Sequence, residues 1–332
     1  MIASIAFRHF KALRNAQVAL APFNVVIGPN GSGKTSLLEA ILSLRPLSAH
    51  APGAPAVPRP RAKAARESPQ IDFRFSAPHE AITARMSCRS ETVCDLLHIE
   101  PPGAAGWPAL QAELATIRGY VLDHSALAQP AKRAAGAELA RDGANLAAVL
   151  AARRAAAPDA FSALTEEMLR IMPEFRSLEL DEHPDESVEF GLRLAEDGLV
   201  PAAELSQGVL YLLGILTLAF NPAPPCVLCI EEIDRGIHPR MLREIRDALY
   251  RLSYPKSSGS TRPPVQIVTT THSPYFLDLF RDHPEEVIIS HKRGRAAHFE
   301  RLADRADVKE LMREGSLGDM WFSGILGGVP EE

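Results

Sequence analysis

The stretch Gly28-Pro29-Asn30-Gly31-Ser32-Gly33-Lys34-Thr35-Ser36 fits Gly-x-x-x-x-Gly-Lys-[Ser/Thr] at every fixed position. The chemistry of such a loop is phosphate capture. The backbone around Asn30, Gly31, Ser32 and Gly33 turns its N–H groups toward an anion, at the positive end of the helix that follows. Lys34 is then set to reach the β- and γ-phosphates of a nucleotide, and the Thr35 hydroxyl, followed by Ser36, to ligand Mg²⁺. The context agrees, because Phe23-Asn24-Val25-Val26-Ile27 reads as a buried strand and 34–44 as an amphipathic helix.

A second apolar run, Cys226-Val227-Leu228-Cys229-Ile230, delivers the adjacent acids Glu231 and Glu232 at the end of a buried strand. That edge is where open parallel sheets bind ligands. Neighbouring positions on a strand face opposite ways, so the two acids divide the work. Glu231 suits the Mg²⁺ shell, and Glu232 suits orienting and polarising an attacking water. His272, after the strand 265–270 in Thr-Thr-Thr-His-Ser-Pro, is placed either to donate to a γ-phosphate oxygen or to be satisfied locally at a helix start. Leu205-Ser206-Gln207-Gly208 precedes the apolar helix 209–220, and is read either as another anion site or as a plain serine N-cap. Cys226-x-x-Cys229 has the spacing of a metal knuckle, but on a strand positions i and i+3 face opposite sides, so both read as core thiols.

The elements that must hold these groups belong to a globular chain of 332 residues, 46% apolar and 23% charged, enough for about two domains or one large one with insertions. A net charge of -5 excludes a uniformly basic nucleic-acid coat and leaves room for a local patch. The two basic runs, Arg59 to Arg66 and Lys292 to Arg295, carry no interleaved aromatics and read as solvated surface rather than DNA contacts. The first ten residues lack a signal-peptide pattern, and Val209 to Phe220 is too short for a bilayer, which takes about 20 residues, so a cytoplasmic protein without a membrane partner is expected. Four cysteines are too few for a disulfide scaffold, and all are expected as thiols.

Further strands are predicted at 2–7, 16–20, 71–76, 80–88, 175–180, 187–195, 286–290 and 297–301, with a Pro-rich insertion over 45–70 and a helical subdomain over 109–172. A helix at 239–252 and a loop before the strand 265–270 complete the pattern. Trp321-Phe322 in the Gly-rich tail is read equally as a partner contact or a cap on the core.

In this order the sites resemble the ATP-binding-cassette class of ATPases, in the branch of SMC, RecF-like and OLD-type heads, from Phe7 to His272. The resemblance implies an α/β fold: an ABC-type head with a mixed central sheet, an antiparallel β lobe and a helical subdomain. It divides the chain into an N-terminal lobe (1–100), the helical part (101–174) and a C-terminal lobe (175–332). ATP and Mg²⁺ are the implied cofactors. Lys11, in His9-Phe10-Lys11-Ala12-Leu13, inherits a basic position near the nucleotide. Ser206 and Gly208 match the signature that, in relatives, binds the γ-phosphate of ATP held by the opposite subunit. Asp234 falls in the loop that crosses that interface, and Gly236-Ile237-His238-Pro239 resembles a run of the RecF-like and OLD-type branch. A homodimer around two ATP molecules is therefore implied. Three positions depart from the pattern: Glu231 stands for the usual Asp, Ile233 for Pro, and the glutamine coupled to Mg²⁺ has only Gln70 and Gln129 as candidates. The helical part is too short for a long coiled coil, and no acidic nuclease module is expected after the tail. By analogy, such heads resemble ATPase subunits of bacterial anti-phage defence that control a separate effector, often a nuclease. The alternative is a RecF-like repair factor that clamps DNA by itself.

Overall fold

The computed structural model describes residues 1–53, 68–294 and 296–327. The chain begins with β1 (Ile2–Phe10), β2 (Leu13–Ala19), β3 (Phe23–Ile27), α1 (Lys34–Ser48), β4 (Gln70–Phe75), β5 (Thr83–Ser90) and β6 (Val93–Glu100). It continues with α2 (Trp107–Leu114), β7 (Arg118–Tyr120), α3 (His124–Leu127), β8 (Ala131–Lys132), α4 (Leu146–Ala156), α5 (Pro158–Ile171), β9 (Phe175–Glu182), β10 (Ser187–Leu194) and β11 (Leu199–Pro201). The last part holds α6 (Gln207–Ala219), β12 (Val227–Ile230), α7 (Pro239–Ser253), β13 (Gln266–Thr270), α8 (Pro274–Asp278), β14 (Val287–Arg293), β15 (Ala296–Arg301), α9 (Val308–Glu314) and α10 (Leu317–Phe322).

Two compact units result. The first is 1–119, 225–233 and 261–332. It carries a mixed six-stranded sheet in the order β15-β14-β3-β13-β12-β7 and an antiparallel five-stranded sheet, β2-β1-β4-β5-β6. In the mixed sheet β14, β3, β13 and β12 run parallel, and all five residues of β3 and of β13 are buried. Strands covered on both faces need such unbroken apolar or β-branched runs. Leu37, Ile41 and Leu44 of α1 share one core with Val26 and Val268 of the mixed sheet and with Phe7, Phe73 and Met86 of the antiparallel one. Each such side chain contributes about 1.5–3 kcal/mol. The core thus fixes the helix that the phosphate loop opens.

The second unit is 120–224 and 234–260. Its sheet joins β11, β10 and β8, with β9 also paired to β10. Every residue of α6 from Gly208 to Ala219 is buried, which explains its twelve-residue apolar run without a membrane. Among the described residues no helix is long and apolar enough to cross one. Arg153 of α4 is buried beside it and donates to the Thr217 carbonyl at 2.7 Å, and burial brings its pKa down to about 10.

Several expectations change. The helix predicted to end at 44 runs to Ser48 through Pro46, because Leu47 continues its buried face and outweighs proline in the last turn. Residues 54–67, most of the expected insertion and with it Arg59 to Arg66, lie outside the described residues. The expected helical stretch 109–172 is helical at 107–114, 124–127, 146–156 and 158–171 and is interrupted by β7 and β8. Strand β6 was not predicted, because its inward positions begin with the polar Asp95 before Leu97 and Ile99. Cys88 and Cys94 face each other in the β5–β6 hairpin and form a disulfide, so only Cys226 and Cys229 are thiols. The tail adds α9 and α10, in which Trp321 is buried while Phe322 is exposed.

Candidate nucleotide site

Strand β3 stops at Ile27, and the phosphate loop turns from it into α1 at Lys34. Gly28 must be glycine, since a Cβ there would lie 2.3 Å from the Ser290 carbonyl oxygen of β14. Ser290 is buried and its hydroxyl donates to the Ser32 carbonyl, so β14 braces the loop from its strand side. Lys34 is folded back over the loop and donates to the Gly28 carbonyl at 2.6 Å and the Pro29 carbonyl at 3.0 Å. Burial lowers its pKa, against the opposing pull of the Glu232 and Glu231 carboxylates. Among the described residues the buried Ser32 hydroxyl oxygen has no hydrogen-bond partner.

The register places the other groups beside this loop. Ile230 stands opposite Thr269, and Thr270 opposite Val26, so three parallel strands end at one level. The Thr35 hydroxyl donates to a Glu231 carboxylate oxygen at 2.5 Å. Glu232 follows with φ 51°, a left-handed backbone rare for a residue with a side chain. Thr270 holds that strained residue on both sides. Its hydroxyl accepts the Glu232 N–H at 2.9 Å, and its carbonyl accepts the Ile233 N–H at 3.1 Å. Proline at 233 would lack that second donor, which gives the departure at Ile233 a physical reason. Lys11, Asn30, Gly31, Gly33, Lys34, Thr35, Ser36, Glu231, Glu232, Thr270 and His272 line one cleft of about 220 Å³.

The cleft residues suit a nucleotide's phosphates and a hard cation. Thr35 and Glu231 present two oxygens side by side, the ligand type that Mg²⁺ takes. The loop offers the ammonium of Lys34 and an unsatisfied hydroxyl on Ser32. Lys11 lines the cleft but its ammonium pairs with Glu39 of α1, and its N–H donates to the Glu91 carbonyl at 3.0 Å.

Ser206, Gly208 and Asp234 come together in the second unit. Ser206 occupies the N-cap position of α6, yet its exposed side chain makes no capping bond. A Cβ on Gly208 would lie 3.1 Å from the Gly236 carbonyl oxygen, so the start of α6 packs directly on the turn after Asp234. The two glutamine candidates are otherwise engaged: Gln70 donates to Asp72 at 2.9 Å, and Gln129 to the Ser125 carbonyl at 2.9 Å. Cys229 is fully buried with its thiol pushed up by burial, and Cys226 contacts the Glu113 carbonyl, as core thiols should. Sequence reasoning missed Thr270, Glu39 and Ser290. Thr270 left a trace, since a buried Thr next to an acid-bearing strand must spend its hydroxyl on something nearby.

A mixed sheet with an antiparallel lobe, carrying this cleft at its strand ends, has the fold of an ABC-type ATPase head. The chain belongs to the AAA_21 family, described as "AAA domain, putative AbiEii toxin, Type IV TA system", whose model matches residues 23–278. It is an ATPase. Among curated proteins it is 56% identical over 41 residues to the DNA replication and repair protein RecF of Erwinia tasmaniensis, covering 12% of this chain and 11% of that protein. RecF of Proteus mirabilis is 49% identical over 45 residues, with 13% and 12% covered. The matches therefore span about a tenth of those relatives' length. An SMC head bound to the C-terminal winged-helix domain of ScpA shares its fold, with a TM-score of 0.57 at 15% identity over 90% of this chain and 96% of that one. The Pyrococcus furiosus SMC head with an extended coiled coil, bound to the C-terminal domain of ScpA, gives 0.54 at 13% identity over 94% and 99%.

Proposed function

We propose that this ATPase is a nucleotide-driven switch of the cytoplasm that dimerises around two ATP molecules and controls a DNA-acting partner such as a nuclease, in bacterial anti-phage defence. The observation that carries the reading is the convergence of Lys34, Thr35, Glu231, Glu232 and His272 on one cleft. Lys34 leaves the Gly28 and Pro29 carbonyls to meet the β- and γ-phosphates. Thr35 and Glu231 hold Mg²⁺, which when bound offsets the phosphate charge. Glu232 orients and polarises the attacking water, held in place by Thr270, and His272 donates to a γ-phosphate oxygen. Asn30, Gly31, Ser32, Gly33 and Ser36 cradle the phosphates, with Lys11 at the rim. From a second copy, Ser206 and Gly208 would close over the γ-phosphate, with Asp234 at the interface. The exposed, uncapping Ser206 hydroxyl supports that role over a plain N-cap. The family description, which names a putative toxin of a toxin–antitoxin system, supports a defence setting.

The test is Glu232→Gln. It is expected to bind ATP normally while hydrolysis falls about a hundredfold to ten-thousandfold, and to accumulate as an ATP-dependent dimer in light scattering. A binding-competent variant with one mass, with and without ATP, would count against the switch unless that mass were already a dimer's. A second reading, a repair ATPase that clamps DNA without a nuclease partner, is favoured by the RecF matches. It requires ATP-dependent duplex binding by the purified chain alone.

A further inference from the structure

The charge in and around the nucleotide cleft does not match its ligand. Lys11 and Lys34 face Glu231 and Glu232, and Glu39 already holds Lys11, so the immediate balance is negative before a polyanion arrives. Mg²⁺ at Thr35 and Glu231 would offset part of this charge, and a further cation close to the loop would add to that on the opposite flank. Strand β14, which braces the loop through Ser290, supplies one two residues further on. Positions i and i+2 of a strand point to one face, so Lys292 follows Ser290 along the loop's flank. The Lys292 ammonium lies 3.7 Å from where a Cβ on Gly31 would stand, and Gly31 lines the cleft. Lys292 is exposed, and among the described residues no carboxylate pairs with it. Its four-carbon stem lets the ammonium swing across the small Gly31 surface.

We propose that Lys292 is a second phosphate-binding cation of the nucleotide site, reaching over Gly31 to the polyphosphate of the nucleotide held by its own phosphate loop. The inference rests on the nucleotide reading above. Nothing about it requires the second copy or the DNA-acting partner. A strand that braces the loop would thereby also sense its ligand, linking β14 to nucleotide occupancy. As a positioning charge at the surface, Lys292 adds affinity without touching the reacting water.

The experiment titrates a fluorescent, non-hydrolysable ATP analogue against wild type, Lys292→Ala, Lys292→Arg and Lys292→Glu, at low and high salt, with Lys34→Ala as reference and circular dichroism to verify folding. Lys292→Ala is expected to bind about three- to tenfold more weakly, Lys292→Glu more weakly still, and Lys292→Arg near wild type. The differences should shrink at high salt, because the site is exposed. The same series with an AMP analogue should show little change. Wild-type-like affinity in folded Lys292→Glu would overturn the Lys292 assignment and leave the nucleotide reading intact. Failure of the wild type itself to bind, with Lys34→Ala no different, would overturn both.

Discussion

Glu232, the proposed water-orienting acid, is where the proposed chemistry and the backbone meet. Its φ of 51° is a conformation that costs of order 1–3 kcal/mol for a residue with a side chain and persists only where neighbours over-determine it. Thr270 is that neighbour, accepting Glu232 N–H with its hydroxyl and Ile233 N–H with its carbonyl. Replacing Thr270 by Val keeps the shape and the β-branched fit to the buried strand but removes the acceptor. The carboxylate then loses a fixed origin while the phosphate loop is untouched. Thr270→Val is expected to lower kcat about ten- to a hundredfold with little change in nucleotide affinity, and Thr270→Ser, which keeps the hydroxyl, to recover most of it. Steady-state kinetics beside analogue binding checks this. Equal loss of binding and turnover would make Thr270 a packing residue only. The same reasoning explains Ile233, whose N–H is spent on a bond that proline could not make.

At the scale of elements, α5 and α7 of the second unit are tied by charge as well as packing. Glu167 of α5 accepts Arg170 from its own helix and Arg251 from α7, while Arg170 also pairs with Glu244. Burial pushes the Glu167 carboxyl up, but the two arginine hydrogen bonds outweigh it and hold it below the ordinary 4.5. A depressed carboxyl contributes stability that is present above the unfolded value and lost as pH falls through the folded one. Glu167→Gln is expected to cost about 1 kcal/mol near neutrality and to remove that share of the wild type's loss below pH 4.5, read as urea midpoints across pH. Parallel curves would show that the network adds nothing. The ties between the two helices, like the bond from Thr270, were not legible in the sequence, because they join residues far apart in it. The phosphate loop and Glu231-Glu232 were legible, since each is a local motif with an apolar strand beside it. Strand β6 was hidden by inward Asp95, the end of α1 by Pro46, and the hairpin disulfide by a reading that took four cysteines as too few for a disulfide scaffold and kept all of them as thiols.

At the scale of the whole molecule, the proposed switch divides one reaction between two copies, and that division can be tested without knowing the partner. Lys34 and Glu232 belong to the first unit, Ser206 and Gly208 to the second. If Ser206 completes the site of another copy, the large cation in Ser206→Arg leaves ATP binding to the chain's own loop intact but blocks hydrolysis. Lys34→Ala has the opposite defect, an intact Ser206 and a loop without its ammonium. Each variant alone is expected to be inactive. Mixed, a heterodimer has one composite site with a whole loop from the first chain and a whole Ser206 from the second, while its other site carries both defects. In an equal mixture about half the dimers are mixed and half their sites are sound, so about a quarter of wild-type turnover is expected if the two sites act independently. Tagging the two chains differently and co-purifying them shows whether heterodimers form. Heterodimers with no recovered turnover would return Ser206 to an ordinary position at the start of α6, and confine the ATPase to a single chain.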